Sequence, residues 1–189
     1  MSAPSRVEPP LAGPTWTLPG WAIFLLTQVG WFACVLGAAR DRFWIGPIVV
    51  ALLLVFHLWQ SRERWIELEL ILAMGAVGVA IDSMLMCFDL LNFRGAPAAC
   101  LAPPWIAALW LHFGTSRHSL LAVLRNRLPL AALVGMVAGP VAYGAGVRFG
   151  AASFHPETWR SLIGLGVAWG IILPLATWFT WHREPSFKG

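Results

Sequence analysis

Apolar residues fill six blocks along this chain, each of roughly 20 residues, the length an α-helix needs to cross about 30 Å of hydrocarbon. In lipid the backbone must satisfy its own hydrogen bonds, which helices do within one segment. Polar connectors separate the blocks, and they delimit spans at about 20–39, 44–59, 70–93, 105–124, 128–147 and 162–181. The sequence therefore predicts an all-α membrane protein, a bundle of about six transmembrane helices.

The segments outside the spans are short. Residues 1–19 hold five prolines with few large apolar residues, which predicts a flexible tail. Residues 20–182 then form a single six-helix domain, and 183–189 form a polar tail. A cleaved signal peptide is the alternative for the first block, but that block is longer than a usual signal core and its leader is weakly basic.

Charge supports this interpretation and limits the possible partners. Only 12% of the residues are charged, against about 25% in soluble domains. The chain is basic, with a pI near 9.6, yet its basic residues are scattered between apolar blocks, which argues against nucleic-acid binding. Seven Lys and Arg residues fall on the side of both termini and five on the other side, so we expect cytoplasmic termini in a bacterial inner membrane.

Several polar side chains lie inside the predicted spans, where an ionisable group needs a partner or a cavity. From helix rise, Asp82 and His112 lie about 16 Å and 10 Å below the outer end of their spans, at similar depth. The same arithmetic places four further polar residues in a central to inner layer. These are His57, Gln28, Arg117 and His118.

The fourth span is the most polar. An unbroken helix would align His112, Thr115, Ser116 and Ser119 on one face, whereas a break at Gly114 would separate them. We expect Asp82 of the preceding helix to be the counter-charge of this face or of Arg117. In a purely structural alternative, these groups only join helices through hydrogen bonds.

Metal and cofactor signatures are weak. The cysteines Cys34, Cys87 and Cys100 form no C-x-x-C pair, and Cys34 and Cys87 fit small apolar residues of the spans. A haem between His57 and His118 is the sharpest alternative, because their depths match, but no spacing motif supports it. We expect no metal site, and the sequence implies no cofactor.

Four groups of residues carry a family resemblance. The chain resembles small, uncharacterised bacterial inner-membrane proteins classed as a domain of unknown function, over nearly everything after residue 20. Such proteins are often encoded beside cyclopropane-fatty-acid-synthase-like methyltransferases and flavin amine oxidases, which implies a role near lipid modification and no site residues. The residues that carry the resemblance are 28–39, 81–83, 109–120 and 139–146.

The functional hypothesis is an intramembrane polar pocket that binds or acts on a lipid-derived amphipathic molecule. The catalytic candidates are Asp82, His112 and His118, with Asp82 orienting His112 as an acid or base. The substrate-binding candidates are His57, Arg117, Gln28, Ser116 and Ser119, with Arg117 holding an anionic headgroup. Membrane lipids and a lipid-modifying enzyme are the expected partners. The alternatives are a small proton-coupled transporter or lipid translocator, and a non-catalytic subunit or scaffold.

Overall fold

The computed structural model describes residues 20–61 and 63–182, apart from the side chains of Trp21, Ile23, His118 and His182. The fold is mostly helical. Its helices are α1 (Gly20–Ala39), α2 (Ile45–Gln60), α3 (Arg64–Cys87), α4 (Pro104–Phe113), α5 (Leu120–Leu124), α6 (Leu128–Phe149) and α7 (Thr158–His182), with a 3-10 segment (Gly114–His118) between α4 and α5. The predicted tails 1–19 and 183–189 lie outside the described residues.

Three of these helices are long and apolar enough to cross a membrane. They are Arg64–Cys87, Leu128–Phe149 and Thr158–Trp181, while Phe24–Ala39 and Ile45–Gln60 are apolar but shorter. Large apolar side chains such as Leu52, Val55 and Val141 point outward with about two thirds of their surface exposed, as lipid-facing residues do. The fold therefore agrees with the predicted all-α membrane class, and the three long helices overlap with predicted spans.

Helix α3 lies about six residues earlier in the chain than the third predicted span. Helix α3 begins at Arg64 rather than near residue 70, so that Glu67 lies within the helix instead of in a connector. It ends at Cys87, two residues before Asp89 adopts a positive φ of 55° that an α-helix cannot continue. Leu91–Phe93, which lies at the end of the third predicted span, forms strand β1 instead of helix and pairs antiparallel with β2 (Ala152–Phe154).

A disulfide joins Cys87 at the end of α3 to Cys100 in the loop before α4. The interpretation of Cys87 as a small apolar residue is therefore wrong, because its partner lies 13 residues away, beyond any local spacing motif. Cys34 is free and buried, as predicted. The disulfide and the β1–β2 pair together fasten the loops at one end of the helices.

The fourth predicted span is interrupted at Gly114, one of the two possibilities that the sequence left open. A Cβ on Gly114 would lie 2.7 Å from the Ile71 Cα, so only glycine lets the backbones of α3 and this segment approach so closely. The 3-10 segment starts at this point and α5 follows it. The interruption rotates Arg117 away from α4 and towards the start of α3.

Helices α6 and α7 pack closely through two glycines of α6. A Cβ on Gly135 would overlap the Trp169 carbonyl, and one on Gly139 would overlap the Trp169 indole. The Gly135-x-x-x-Gly139 spacing is typical of helices whose backbones approach closely in a membrane. Trp169 is thereby held against α6 at the centre of the bundle.

Candidate functional site

A cavity of about 320 Å³ lies between α1, α4, α6 and α7. Aromatic and aliphatic side chains form nearly all of its wall, and Asp82, His112 and Ser116 are among the few polar residues that line it. Trp31, Trp110 and Trp169, which lie within the predicted spans, all line the cavity. Its aromatic lining residues are Trp31, Phe93, Trp105, Trp110, Phe113, Tyr143 and Trp169.

Two stacked indoles form one wall of the cavity. The rings of Trp110 and Trp169 lie 4.9 Å apart at an angle of 13°. Gly78 of α3 backs Trp110 and Gly139 of α6 backs Trp169, and a Cβ at either glycine would overlap the adjacent ring. The stack is therefore fixed by two close helix approaches, which gives the wall a defined shape.

The Asp82 carboxylate is fully buried at the end of this stack. Trp110 Nε1 donates a hydrogen bond to Oδ2 at 2.7 Å, and Tyr143 Oη lies 2.8 Å from both carboxylate oxygens. Among the described residues no cation lies within ion-pair distance of Asp82. Two neutral donors, from α4 and α6, therefore hold the carboxylate of α3 in place.

His112 is the other ionisable side chain on the cavity wall, and it is buried with 7% of its surface exposed. Its Nε2 lies 3.2 Å from the Thr27 carbonyl oxygen of α1. Gly30 permits this contact, because a Cβ there would lie 2.6 Å from His112 Nε2. His112 Nδ1 is also buried and has no hydrogen-bond partner among the described residues.

Helices α1 and α6 both contribute to the cavity wall. Ala138 and Ala142 of α6 line the cavity and are exposed. Towards the end of α6 the two helices meet through Trp31 and Phe149, whose rings lie 6.2 Å apart. Small exposed residues of α6 therefore form part of the cavity wall beside this aromatic contact.

A second polar cluster lies at the other end of the helices. Arg117 Nη1 lies 3.1 Å from Glu63 Oε2 and 3.3 Å from Glu67 Oε1, and His57 Nε2 lies 3.2 Å from Glu67 Oε2. Arg117, Glu67 and His57 are all buried, whereas Glu63 is half exposed. We call these four residues the ionic cluster.

The predicted site residues thus divide into two groups. Asp82, His112 and Ser116 line the cavity, while His57 and Arg117 belong to the ionic cluster. Gln28 and Ser119 do not line the cavity, and the His118 side chain lies outside the described part of the chain.

Two predicted pairings are wrong. Arg117 pairs with glutamates rather than with Asp82, because Glu67 lies some 15 residues, or about 22 Å, from Asp82 along α3. Asp82 does not hydrogen-bond to His112, since its oxygens accept hydrogen bonds from Trp110 and Tyr143. The break at Gly114 explains the first error, because the depth estimates assumed one continuous helix.

Sequence reasoning missed three important residues, Tyr143, Glu63 and Glu67. Tyr143 carries a usable signal, since it is the only tyrosine of the chain and stands inside an apolar span. Glu67 was missed because the third span was predicted to begin near residue 70, which placed Glu67 in the preceding connector. Within the described residues, no group of three or more His, Cys, Asp or Glu side chains could hold a metal ion.

The long apolar helices, packed around an apolar cavity, are those of a membrane protein. The chain belongs to the family described as a protein of unknown function (DUF2878), which matches residues 20–175 and so covers every residue of the cavity. Searches of curated proteins and of solved structures found no match.

Proposed function

We propose that this protein is a six-helix bacterial inner-membrane protein whose cavity binds a lipid-derived amphipathic molecule drawn from the bilayer. The apolar part of the ligand would occupy the aromatic chamber, with its polar end near His112 and Asp82. Binding serves modification or movement of that lipid. The neighbouring lipid-modifying enzyme implied by the family resemblance would be the partner.

The lengths of the helical segments and the position of the disulfide support a six-span topology. Residues 104–124, although broken, extend about 30 Å at 1.5–2.0 Å per residue, and α1 extends about as far. Disulfides form in oxidising compartments, which favours an external location for Cys87 and Cys100. With six spans that location puts both termini in the cytoplasm, in agreement with the distribution of Lys and Arg.

The cavity itself carries the proposal. Small-molecule sites are mostly apolar concavities of about 300–1,000 Å³ with a few convergent polar groups, and this cavity lies at the lower end of that range. An opening at the exposed Ala138 and Ala142 would give a lipid direct access without passage through water. A purely structural set of hydrogen bonds would not need an open chamber of this size.

Filling the cavity tests the proposal. Ala142→Phe adds a ring at the opening, and Val141→Phe adds the same ring to an outward-facing neighbour on α6. We expect lipids that co-purify with the wild-type protein, measured by mass spectrometry, to fall several-fold with Ala142→Phe and to persist with Val141→Phe. Equal lipid retention by both variants would exclude the cavity as the binding site.

A cellular measurement addresses the role in lipid modification. The lipid profiles of cells carrying wild-type protein, Asp82→Asn or His112→Ala should differ if the cavity presents a lipid for modification. Unchanged profiles, with normal protein levels in the membrane, would contradict that role and leave a non-catalytic subunit or scaffold.

Transport is the second candidate, and the position of two prolines favours it. Pro140 and Pro174 lie inside α6 and α7, the helices that pack around Trp169, and proline weakens a helix locally. A transporter would expose Ser116 and Ala138 alternately to the two aqueous sides. Cysteines introduced there should then react with membrane-impermeant reagents from either side, whereas a closed lipid site would leave them unreactive.

A further inference from the structure

The cavity is elongated along the axis of the bundle. On α6 its lining residues run from Val134 to Gly146, a distance of about 18 Å at 1.5 Å per residue. On the opposite side they run from Trp105 near the start of α4 to Leu120 at the start of α5. This length is comparable to one half of the bilayer hydrocarbon, about 15 Å, which a single lipid chain spans.

The volume and the length of the cavity correspond to similar numbers of carbon atoms. A cavity of about 150 Å³ accommodates benzene, a six-carbon molecule, so 320 Å³ corresponds to about 13 carbons. An extended chain advances about 1.3 Å per bond, so a length of about 18 Å corresponds to about 15 carbons. Both values fit one hydrocarbon chain, and the two chains of a membrane phospholipid would not fit together.

The two ends of the cavity differ in exposure. At the end near the disulfide, Phe93 and Trp105 are buried and meet edge to face, with their ring centroids 5.6 Å apart. Trp105 Nε1 also donates a hydrogen bond to the Arg94 carbonyl oxygen at 2.9 Å, which fixes the indole. The lining residues at the other end are Ser116 and Leu120, and Leu120 is 39% exposed. The buried aromatic pair therefore suits the apolar end of a chain, and the Ser116 end suits its polar end.

Gly146 leaves space beside the aromatic pair. It is buried and lines the cavity, yet a Cβ on it would have no atom within 4 Å. Gly139, two turns earlier on α6, differs because a Cβ there would overlap the Trp169 ring. The absence of a side chain at position 146 thus serves no helix contact, and it lengthens the cavity.

We infer that the cavity takes a lipid with one hydrocarbon chain of about 13–15 carbons, whose methyl end lies against Phe93 and Trp105 in the space that Gly146 leaves open. This inference rests on the proposed function and specifies its ligand. The polar end then lies beside Ser116, one turn of helix from His112 but no longer level with Asp82.

Competition between lipids with the same headgroup tests the number and length of the chains. The full-length protein in lipid nanodiscs is photolabelled with monomyristoylglycerol that carries a diazirine near its methyl end. The competitors, added at equal mole fraction, are monoacylglycerols from decanoyl to stearoyl and dimyristoylglycerol. We expect the myristoyl compound to compete about tenfold better than the decanoyl, stearoyl and two-chain compounds, a difference of about 1.4 kcal/mol.

Variants at the aromatic end should change the preferred length. Gly146→Leu fills the open space and should shift the preference to the lauroyl or decanoyl compound. Gly144→Leu is its control, because it meets equally open space but does not line the cavity. Phe93→Ala should shift the preference to palmitoyl, whereas Phe154→Ala on the paired strand, outside the cavity, should not.

The labelled residues give a second measurement that needs no variant. A diazirine near the methyl end should label the segment 93–105, and one near the glycerol should label 116–120, as mapped by mass spectrometry. The reverse order, or one segment labelled by both probes, would overturn the inferred chain.

The outcomes separate this inference from the proposed function. Labelling that Ala142→Phe blocks, but with the stearoyl or two-chain compound competing as well as the myristoyl one, would overturn the single chain of limited length and leave the cavity as a lipid site. Labelling insensitive to Ala142→Phe would overturn both. Myristoyl-selective labelling that Ala142→Phe blocks and Gly146→Leu shifts to shorter chains would support both.

Discussion

Two fully buried carboxylates on the same helix have opposite surroundings. Asp82 receives hydrogen bonds from the neutral donors Trp110 and Tyr143 beside an apolar cavity, whereas Glu67 contacts the cation Arg117 and the imidazole of His57. Glu67 lies three residues after the start of α3, and Asp82 lies five residues before its other end. The comparison shows that burial alone does not determine how a carboxylate is stabilised.

Access to the surface explains the difference. A guanidinium is costly to place in hydrocarbon, so Arg117 lies near the start of α3, where half-exposed Glu63 links it to the surface. Asp82 instead accepts hydrogen bonds from the neutral donors Trp110 and Tyr143, and the described residues that line the cavity beside it include no Lys or Arg. The ionic cluster is therefore suited to fastening α2, α3 and the 3-10 segment together, and the cavity to receiving a ligand.

Removing the buried carboxylate of the ionic cluster should have the largest effect on stability. Glu67→Leu leaves Arg117 without its buried partner, and we expect a loss of about 3–5 kcal/mol, seen as a lower melting temperature in detergent. The double variant Glu67→Leu/Arg117→Met should recover most of the loss. A double variant as unstable as the single one would show that packing, not charge, stabilises this end.

Disturbing the cavity wall should have the next largest effect. In Gly78→Ala the new methyl group overlaps the Trp110 ring, and we expect a loss of about 1–3 kcal/mol with a changed near-ultraviolet circular dichroism spectrum. Gly144→Ala is the matched control, because nothing lies within 4 Å of its added Cβ. If both substitutions proved equally neutral, the indole stack would not have the rigidity ascribed to it.

The neutral hydrogen bonds of Asp82 should contribute less. Tyr143→Phe removes one donor while Trp110 remains, and interhelical hydrogen bonds in membranes average about 0.6 kcal/mol. A double-mutant cycle with Asp82→Ala should give a coupling free energy of that order in detergent unfolding. A coupling several times larger would place Asp82 in the same energetic class as Glu67.

The hydroxyls of the predicted polar face should contribute least. Ser119 Oγ donates a hydrogen bond to the carbonyl oxygen of Ser116, three residues earlier, and Ser119 lies outside the cavity. Ser119→Ala should therefore change the stability by less than about 0.5 kcal/mol. It should also leave lipid co-purification unchanged, and a clear decrease would mean that the ligand reaches further along this segment than the cavity does.

Much of the architecture could be predicted because helix length and apolar composition are local properties. The predicted span 20–39 coincides with α1, and the start of α6 at Leu128 was also predicted. The Gly135-x-x-x-Gly139 spacing is also a local pattern, typical of the close helix approach that the structure has at these glycines. The start of α3 was misplaced because Glu67 looks like a connector residue until its partners are known.

The candidate site was harder to predict, because it depends on helix rotation and on one break in a helix. Depth along a helix correctly suggested that His57 and Arg117 share a level, yet it could not reveal that Glu67 joins them. Nor could depth indicate that Asp82 faces Trp110 and Tyr143, which come from two other helices.

The sequence by itself determined that this chain folds in lipid, since its long apolar blocks allow few other structures. It also identified Asp82 and His112 as polar groups inside the spans that need a partner or a cavity. Only the tertiary structure decided which partners they have. Side-chain pairing depends on the relative rotation of helices, which the glycines at 30, 78, 114 and 139 set by permitting close contacts. That packing separated one expected polar layer into an ionic cluster and an apolar cavity.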